Sequence, residues 1–384
     1  MENEANIPEL SIVMPCLDES TTVGICVAKA KTFLEENNIV GEVIVADNGS
    51  KDDSALVAFQ AGAKVVHIVE RGYGSALIGG INEANGKYII IGDADDSYDF
   101  LTLMPFVEKL RQGFHLVVGN RFSAKMAPGA MPWLHRYIGN PLLSGIGKLF
   151  FSSKISDFHC GLRGFTKNAF NQMDLRTTGM EFASEMIVKA TIYDLKITEV
   201  PTILSPDGRI GKSHLRSFSD GWRHLQFLFI YSPRWLFLYP GIVSIIVGLV
   251  VSLWILPRPV NTTPDVHTML YAVAAILIGV QSCVFAVFSK TFAVHEKLIP
   301  TNPVIEGFFN KFTPQRGIII GLIMVLLGLG GSAYTYGIWA EGSFFKLGAA
   351  ITIRVVIAMF TLLVLGFQLI FSSFFYYLLK IQSR

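Results

Sequence analysis

Apolar positions follow two regimes along this chain. From Leu10 to about Leu204, short β-branched runs (LSIVMP, EVIVAD, KVVHIV, YIIIGD and LVVGN) alternate with amphipathic stretches over residues 21 to 37, 51 to 61, 74 to 86 and 100 to 112. Runs that are apolar throughout predict strands covered on both faces. Their alternation with helical patterns predicts an α/β domain with a mostly parallel sheet. Ligands of such sheets sit beyond the carboxyl ends of the strands, and three of these runs end in residues suited to that edge: Pro15 with Glu19 just beyond it, then Asp47, then Asp93.

The second regime begins at Trp235. WLFLYPGIVSIIVGLVVSLWIL, residues 235 to 256, carries no charge, and as a helix it would reach about 33 Å, close to the thickness of a bilayer core. Three more spans are predicted, at 269 to 289, 317 to 339 and about 350 to 379, making an all-α transmembrane domain of four helices over 235 to 384. A mean hydropathy of +0.46 fits this mixed architecture. Lys290, Lys297, Lys311 and Arg316 are expected between the second and third spans, whereas Arg258 and Lys346 stand alone after the first and third. By the positive-inside rule the first domain and both termini are cytoplasmic in a multi-pass membrane protein. Arg354, near the start of the last span, is expected to snorkel to the outer interface as a structural residue. The polar N-terminus MENEANIPEL has no secretory pattern, so internal segments are expected to direct insertion.

Between the regimes lies SFSDGWRHLQFLFIYSPRW. Phe218, Trp222, Leu225 and Phe229 share one helical face, which predicts a surface-lying helix over 217 to 234 after a first domain of residues 1 to 216. The alternative is a helix buried in the first domain.

Net charge of +2 supplies no global basic field, which argues against nucleic acid as a partner. Cys16, Cys26, Cys160 and Cys283 show neither CxxC spacing nor disulfide density, so reduced thiols are expected and a zinc site is not. Asp93, Asp95, Asp96 and Asp99 crowd the end of the YIII run. Asp96 or Ser97 is a candidate cap for the helix starting near Asp99. Asp93-Ala94-Asp95 leaves a carboxylate pair that a divalent, oxygen-preferring cation relieves. Mg2+ or Mn2+, bridging to a substrate diphosphate, has that chemistry.

VMPCLDES, VIVADNGSKDDS, GYGSALIGGINEANGKYIIIGDADD, GNRF and SDFHCGLRGF occur in that order. Over residues 8 to 216 the chain resembles the family 2 glycosyltransferases of the GT-A fold, a Rossmann-like α/β architecture. Within them it is similar to the membrane-anchored polyprenyl-phosphate glycosyltransferases, the group that includes dolichol-phosphate mannose synthase. The resemblance implies an inverting transfer from a nucleotide diphosphate sugar, UDP- or GDP-linked, to an undecaprenyl or dolichyl phosphate at a lipid bilayer. Association into a homo-oligomer is left open. The resemblance places the donor nucleotide against Pro15, Glu19, Asp47, Asp93, Ala94 and Asp95, with metal on Asp93 and Asp95. It offers Asp157, Asp95 and Arg163 as catalytic residues and Glu185 as a sugar contact. Arg121, Arg163, Arg209, Lys212, Ser213 and His214 become candidates for diphosphate or lipid-phosphate contact.

Each assignment has a plainer counterpart. Glu19 also suits the first turn of the next helix, the arginines suit ion pairs, Glu185 can pair with Lys189, and the 209 to 216 loop can attract anionic lipid. A phosphate monoester is largely ionised near neutrality, its second pKa being about 6, so Asp157 is either a base or an orienting group. Gly72 and Gly74 lack a partner glycine at Leu77, so no dinucleotide fingerprint forms. Arg71 replaces the family's asparagine. Gly211-Lys212-Ser213-His214 shifts the charge in a loop where Gly-acidic-Ser-Lys is expected. A polysaccharide synthase is disfavoured because Tyr231 stands where its Gln-x-x-Arg-Trp motif needs glutamine. Transfer to another membrane lipid, or a catalytically dead lipid-binding or flipping protein, are the remaining alternatives.

Overall fold

The five apolar runs pair as strands. β1 (Leu10–Cys16), β2 (Gly41–Asp47), β3 (Lys64–His67), β4 (Tyr88–Ile91) and β5 (Leu116–Asn120) join β6 (Arg163–Thr166) and β7 (Ile197–Pro201) in one sheet of order β3-β2-β1-β4-β6-β5-β7. The computed structural model describes residues 7–124, 126–208, 217–258, 266–296, 298–300, 313–341 and 349–381. Arg209, Lys212, Ser213 and His214 lie outside them, as do Lys297, Lys311 and Lys346. β1 and β4 are buried at every position, as strands covered on both faces require, while the edge strand β3 is buried at none.

β6 departs from the parallel pattern, running antiparallel to both β4 and β5. Its RGFT sequence is too short and mixed to announce a strand. Its direction nevertheless decides the site, because the start of an antiparallel strand lies at the carboxyl edge of its neighbours. Arg163 pairs with Ile91 and Val118, which brings the preceding loop to the edge where β4 and β5 end. In the same way, the parallel register Val13↔Ile91 sets Pro15 level with Asp93.

The expected helices appear as α1 (Val23–Glu36), α2 (Ser54–Gln60), α3 (Tyr73–Asn82) and α4 (Met104–Arg111), the last entered through a short turn Phe100–Thr102. α5 (Asn140–Phe151), α6 (Lys167–Met173) and α7 (Phe182–Ile192) complete the layer. α3 packs closely on the sheet: a Cβ at Gly80 would stand 2.7 Å from the Val13 side chain.

α8 (Ser217–Ile230) combines both sequence alternatives. Phe218 and Trp222 are exposed, at 85% and 59%, whereas His224, Phe227 and Leu228 on its other side are buried. The chain divides into the units Met1–Leu228 and Phe229–Arg384, so most of this helix belongs to the first unit rather than to a separate segment.

The second unit holds four helices long and apolar enough to cross a membrane: α9 (Tyr239–Ile255, preceded by a wide helical turn Arg234–Leu238), α10 (Val266–His295), α11 (Pro314–Glu341) and α12 (Ala349–Ile381). The last three overrun the predicted spans, and Lys290 and Arg316 lie within α10 and α11 rather than in a loop. α9 meets α10 where Gly241 faces Gly279, and α11 meets α12 where Gly321 faces Gly366. Small residues at such crossings let helix backbones approach in lipid, where apolar burial alone does not drive association. Arg354 has a structural task. It is buried and donates through an Nη to the carbonyl of Arg258 at 2.7 Å, while Arg258 stacks 3.6 Å from the ring centre of Trp254. An enclosed guanidinium that donates to a backbone carbonyl avoids the cost of exposing either group to lipid.

Candidate active site

Two clefts share a wall at the carboxyl edge of the sheet, and Asp93 and Asp95 line both. The first, about 420 Å³, is bounded by Pro15 near the end of β1 and Glu19 beyond it, Asn48 after β2, Arg71 before α3, and Asp220 and Arg223 of α8. Pro15, Glu19, Asp93, Ala94 and Asp95 thus come together as the resemblance implies. Asp47 stands one residue back from the lining. It is buried, accepts from the Ser50 backbone N–H at 3.1 Å and lies 3.1 Å from His67 Nδ1. Burial works to raise its pKa, but the Ser50 hydrogen bonds and His67 outweigh it and hold the carboxyl below its ordinary value.

The crowded carboxylates after β4 separate into different tasks. Asp99 caps the Phe100–Thr102 turn by accepting from Leu101 N–H at 3.1 Å, so neither Asp96 nor Ser97 is the cap. Asp96 takes the left-handed backbone conformation, φ 59°, and pairs with Lys29 at 2.7 Å. Asp95 accepts from Ser97 through both its backbone N–H, at 3.0 Å, and its hydroxyl, at 2.6 Å. Asp93 accepts from the Tyr73 hydroxyl at 2.9 Å. Of these four, Asp93 and Asp95 line the clefts. Among the described residues no three His, Cys, Asp or Glu side chains form a closed metal cage. A pair of carboxylates beside open volume fits Mg2+ or Mn2+, which keeps waters and completes its shell from a diphosphate.

The second cleft, about 460 Å³, has Arg121 and His159 in its wall and Met131, Pro132, Leu134 and Leu143 at an apolar margin. Nearby, Trp133, Tyr137 and Leu142 are exposed. Arg121 donates from Nε and Nη2 to the two oxygens of Asp157 at 2.7 and 2.8 Å, and its backbone N–H reaches the same carboxylate at 3.1 Å. Burial opposes the Arg121 charge, but Tyr98 and the Asp157 pair outweigh it, and the pKa is raised. Asp157 is 0% exposed and does not line the cleft. Its carboxylate therefore fixes the position of the Arg121 guanidinium. Glu199 of β7 in turn accepts from the backbone N–H of Asp157 at 3.0 Å and from Asn120 Nδ2 at 3.1 Å, tying the loop to the end of β5.

Arg163 and Glu185 are used differently from the sequence expectation. The Arg163 guanidinium donates to the carbonyls of Phe158, Cys160 and Ala183 at 2.6–2.8 Å, fastening the Asp157 loop, although it also borders the second cleft. Glu185 is 0% exposed, pairs with Lys189 at 3.0 Å, and accepts from Arg176 and Thr177 backbone N–H groups. It therefore holds a loop rather than touching a bound sugar.

Tyr73, Asn48, Arg71, Glu199 and His159 were not legible as site residues. Arg71 donates to the carbonyls of Asn48 and Gly49 at 2.6 and 3.1 Å, bracing the turn after β2. His159 stands edge-on to His224 at 4.6 Å, and neither of its ring nitrogens has a hydrogen-bond partner among the described residues. Burial, then the neighbouring His224, Arg121, Arg163 and His135, push its pKa well below 6.5. The signal available for Tyr73 was its place in GYGS, a residue before a glycine at a helix start on the ligand edge.

This architecture, with a carboxylate pair at the sheet's switch point and a second cleft walled by Arg121, is that of a GT-A glycosyltransferase. The glycosyl transferase family 2 model matches residues 11–174, and the family 2 C-terminal transmembrane region matches residues 287–380. The low-salt glycan biosynthesis hexosyltransferase Agl6 of Haloferax volcanii is 35% identical over 96% of this chain and 88% of its own. The chain belongs to the family 2 glycosyltransferases. The dolichyl-phosphate hexose transferase of the same organism is 24% identical over 57% of this chain and 91% of its own, and human dolichyl-phosphate beta-glucosyltransferase is 29% identical over 50% and 66%. Among solved structures, glucosyl-3-phosphoglycerate synthase from Mycobacterium tuberculosis aligns over 59% of this chain and 81% of its own, with 18% identity and a TM-score of 0.47.

Proposed function

We propose that this enzyme transfers a hexose, with inversion, from a nucleotide diphosphate sugar to a polyprenyl phosphate, with its first unit and both termini on the cytoplasmic side of a membrane. The observation that carries the reading is the position of Arg121. It is held by Asp157 in a cleft that shares Asp93 and Asp95 with the donor cleft and opens past an apolar margin. A guanidinium suits a phosphate, and an apolar margin suits the chain attached to it. The printed names of the dolichyl-phosphate transferases support the same acceptor class.

Pro15, Glu19 and Asn48 wall the nucleoside end of the donor cleft, with Asp47 supporting the turn after β2. Asp93 and Asp95 would hold Mg2+ or Mn2+; when bound, such an ion neutralises the diphosphate and eases its departure. Arg121 orients the acceptor phosphate, and an oxygen of that phosphate attacks the anomeric carbon as its bond to the diphosphate breaks. No protein base is required, since the attacking oxygen is already ionised near neutrality. Arg209, Lys212, Ser213 and His214 remain proposed for the lipid-phosphate approach.

The test is incubation of the purified full-length protein with UDP- and GDP-linked sugars and undecaprenyl or dolichyl phosphate, with and without a chelator. A short, mild-acid-labile glycolipid that disappears with the chelator is expected. A polymer, or transfer only to a lipid lacking phosphate, would refute the reading.

A further inference from the structure

Asp93 is held from outside the DADD motif. Its Oδ1 accepts from Tyr73, the first residue of α3, and a Cβ at Gly161 would lie 2.5 Å from its Oδ2, so the carboxylate is confined on two sides. Tyr73 is positioned in turn by a clamp on the start of α3. The carbonyl of Thr178 accepts from Gly74 N–H at 2.9 Å and Ser75 N–H at 3.2 Å. A Cβ on Gly72 would stand 2.1 Å from that carbonyl oxygen, and one on Gly74 would stand 2.2 Å from the Thr177 oxygen. Gly72 also has φ +138°, in the region that favours glycine.

The clamp is anchored by a buried ion pair. Glu185 accepts from Arg176 N–H, Thr177 N–H and the Thr177 hydroxyl at 3.0, 2.8 and 2.7 Å. Lys189 donates to Glu185 and to the Asp174 carbonyl, closing the loop from 174 to 178 onto α7. One continuous set of hydrogen bonds thus runs from the fully buried Glu185–Lys189 pair through the Thr177–Thr178 backbone and the α3 N-terminus to Asp93.

We propose that Tyr73 is a positioning residue for Asp93, and that the Glu185–Lys189 pair serves the donor site by bracing the 174–178 loop against the start of α3. This deepens the reading above and rests on it: the carboxylate so fixed is the one proposed to meet the metal-bound diphosphate. Partners of metal-ligating carboxylates generally alter affinity by about ten- to a hundredfold when removed, because they set ligand orientation.

The experiment is calorimetry of UDP and GDP on the full-length protein with Mn2+ and with a chelator, alongside thermal unfolding. Tyr73→Phe removes only the hydroxyl, and Gly74→Ala pushes on the loop without touching the site. Each is expected to weaken Mn2+-dependent nucleotide binding roughly tenfold or more while leaving chelator-resistant nucleotide binding within error; Tyr73→Phe should keep the unfolding midpoint near that of the parent, whereas Gly74→Ala lowers it, because the added Cβ meets the Thr177 carbonyl. The double variant should be no worse than the poorer single one, since both act along one path. If Gly74→Ala does not fold, Thr177→Val, which deletes the hydroxyl bonded to Glu185, takes its place. Metal-dependent binding unchanged in Tyr73→Phe, or losses in the double variant that simply multiply, would overturn the inference. A wild-type protein with no Mn2+-dependent nucleotide binding would overturn the donor-site reading itself, and this inference with it.

Discussion

Arg121 and Asp157, 36 residues apart in sequence, meet in a two-pronged pair at 2.7 and 2.8 Å with the carboxylate fully enclosed and the guanidinium bordering the cleft. The geometry separates orienting from proton transfer. If Asp157 serves to aim Arg121, Asp157→Asn raises the KM for polyprenyl phosphate and leaves the pH–rate profile in place; loss of one limb of that profile would instead mark a base. Asp157→Ala strands a buried charge and is expected to destabilise the first unit by about 3–5 kcal/mol. Equilibrium unfolding of the purified variants checks the second figure.

Asp95→Ala is expected to abolish Mn2+-dependent UDP or GDP binding and transfer activity without lowering the unfolding midpoint, since relief of crowded negative charge offsets the loss of its Ser97 hydrogen bonds. Calorimetry and a thermal scan on the same preparation decide it. Activity that survives both Asp95→Ala and a chelator would remove the metal assignment.

Lys189→Met leaves Glu185 buried without its cation and should destabilise by about 3–5 kcal/mol, whereas Glu185→Leu with Lys189→Met should recover much of that loss. Denaturant titration of the single and double variants tests the coupling. A single variant as stable as the parent would show that the pair is not enclosed as described.

His224 is held down to about 4, chiefly by burial, with Arg163 adding to the shift and Asp220 opposing it. Its folded value lies below the unfolded 6.5, so the unfolded state takes up the proton first. Stability is full above pH 6.5 and is lost progressively as pH falls through 4, by roughly 3 kcal/mol in all. His159 contributes in the same direction. Unfolding midpoints measured between pH 7.5 and 4 should fall less steeply in His224→Gln, and an unchanged slope would contradict the assignment.

Five strands, the helices between them and four membrane-crossing helices were legible because burial on both faces, and immersion in lipid, both demand uninterrupted apolar runs. β6 was not, because RGFT derives its strand character from two neighbours rather than from its own side chains. The DADD carboxylates, with Pro15 and Glu19, were legible as a cluster at the ligand edge. Their division of labour was not. Lys29, Ser97, Tyr73 and the Leu101 backbone each claim one aspartate, and two of these partners, Lys29 and Tyr73, come from helices distant in sequence, whose approach spacing alone does not reveal.

Local chemistry along the chain was therefore enough to establish an α/β domain followed by membrane helices, and an acidic strand end suited to a metal-bound diphosphate. Only tertiary structure decided which charged residues line the clefts and which face one another. The reversed direction of β6 carries the Asp157 loop back to the ends of β4 and β5. Burial there turns Asp157 toward Arg121, Arg163 toward three carbonyls and Glu185 toward Lys189, because an enclosed charge must find its partner within the protein.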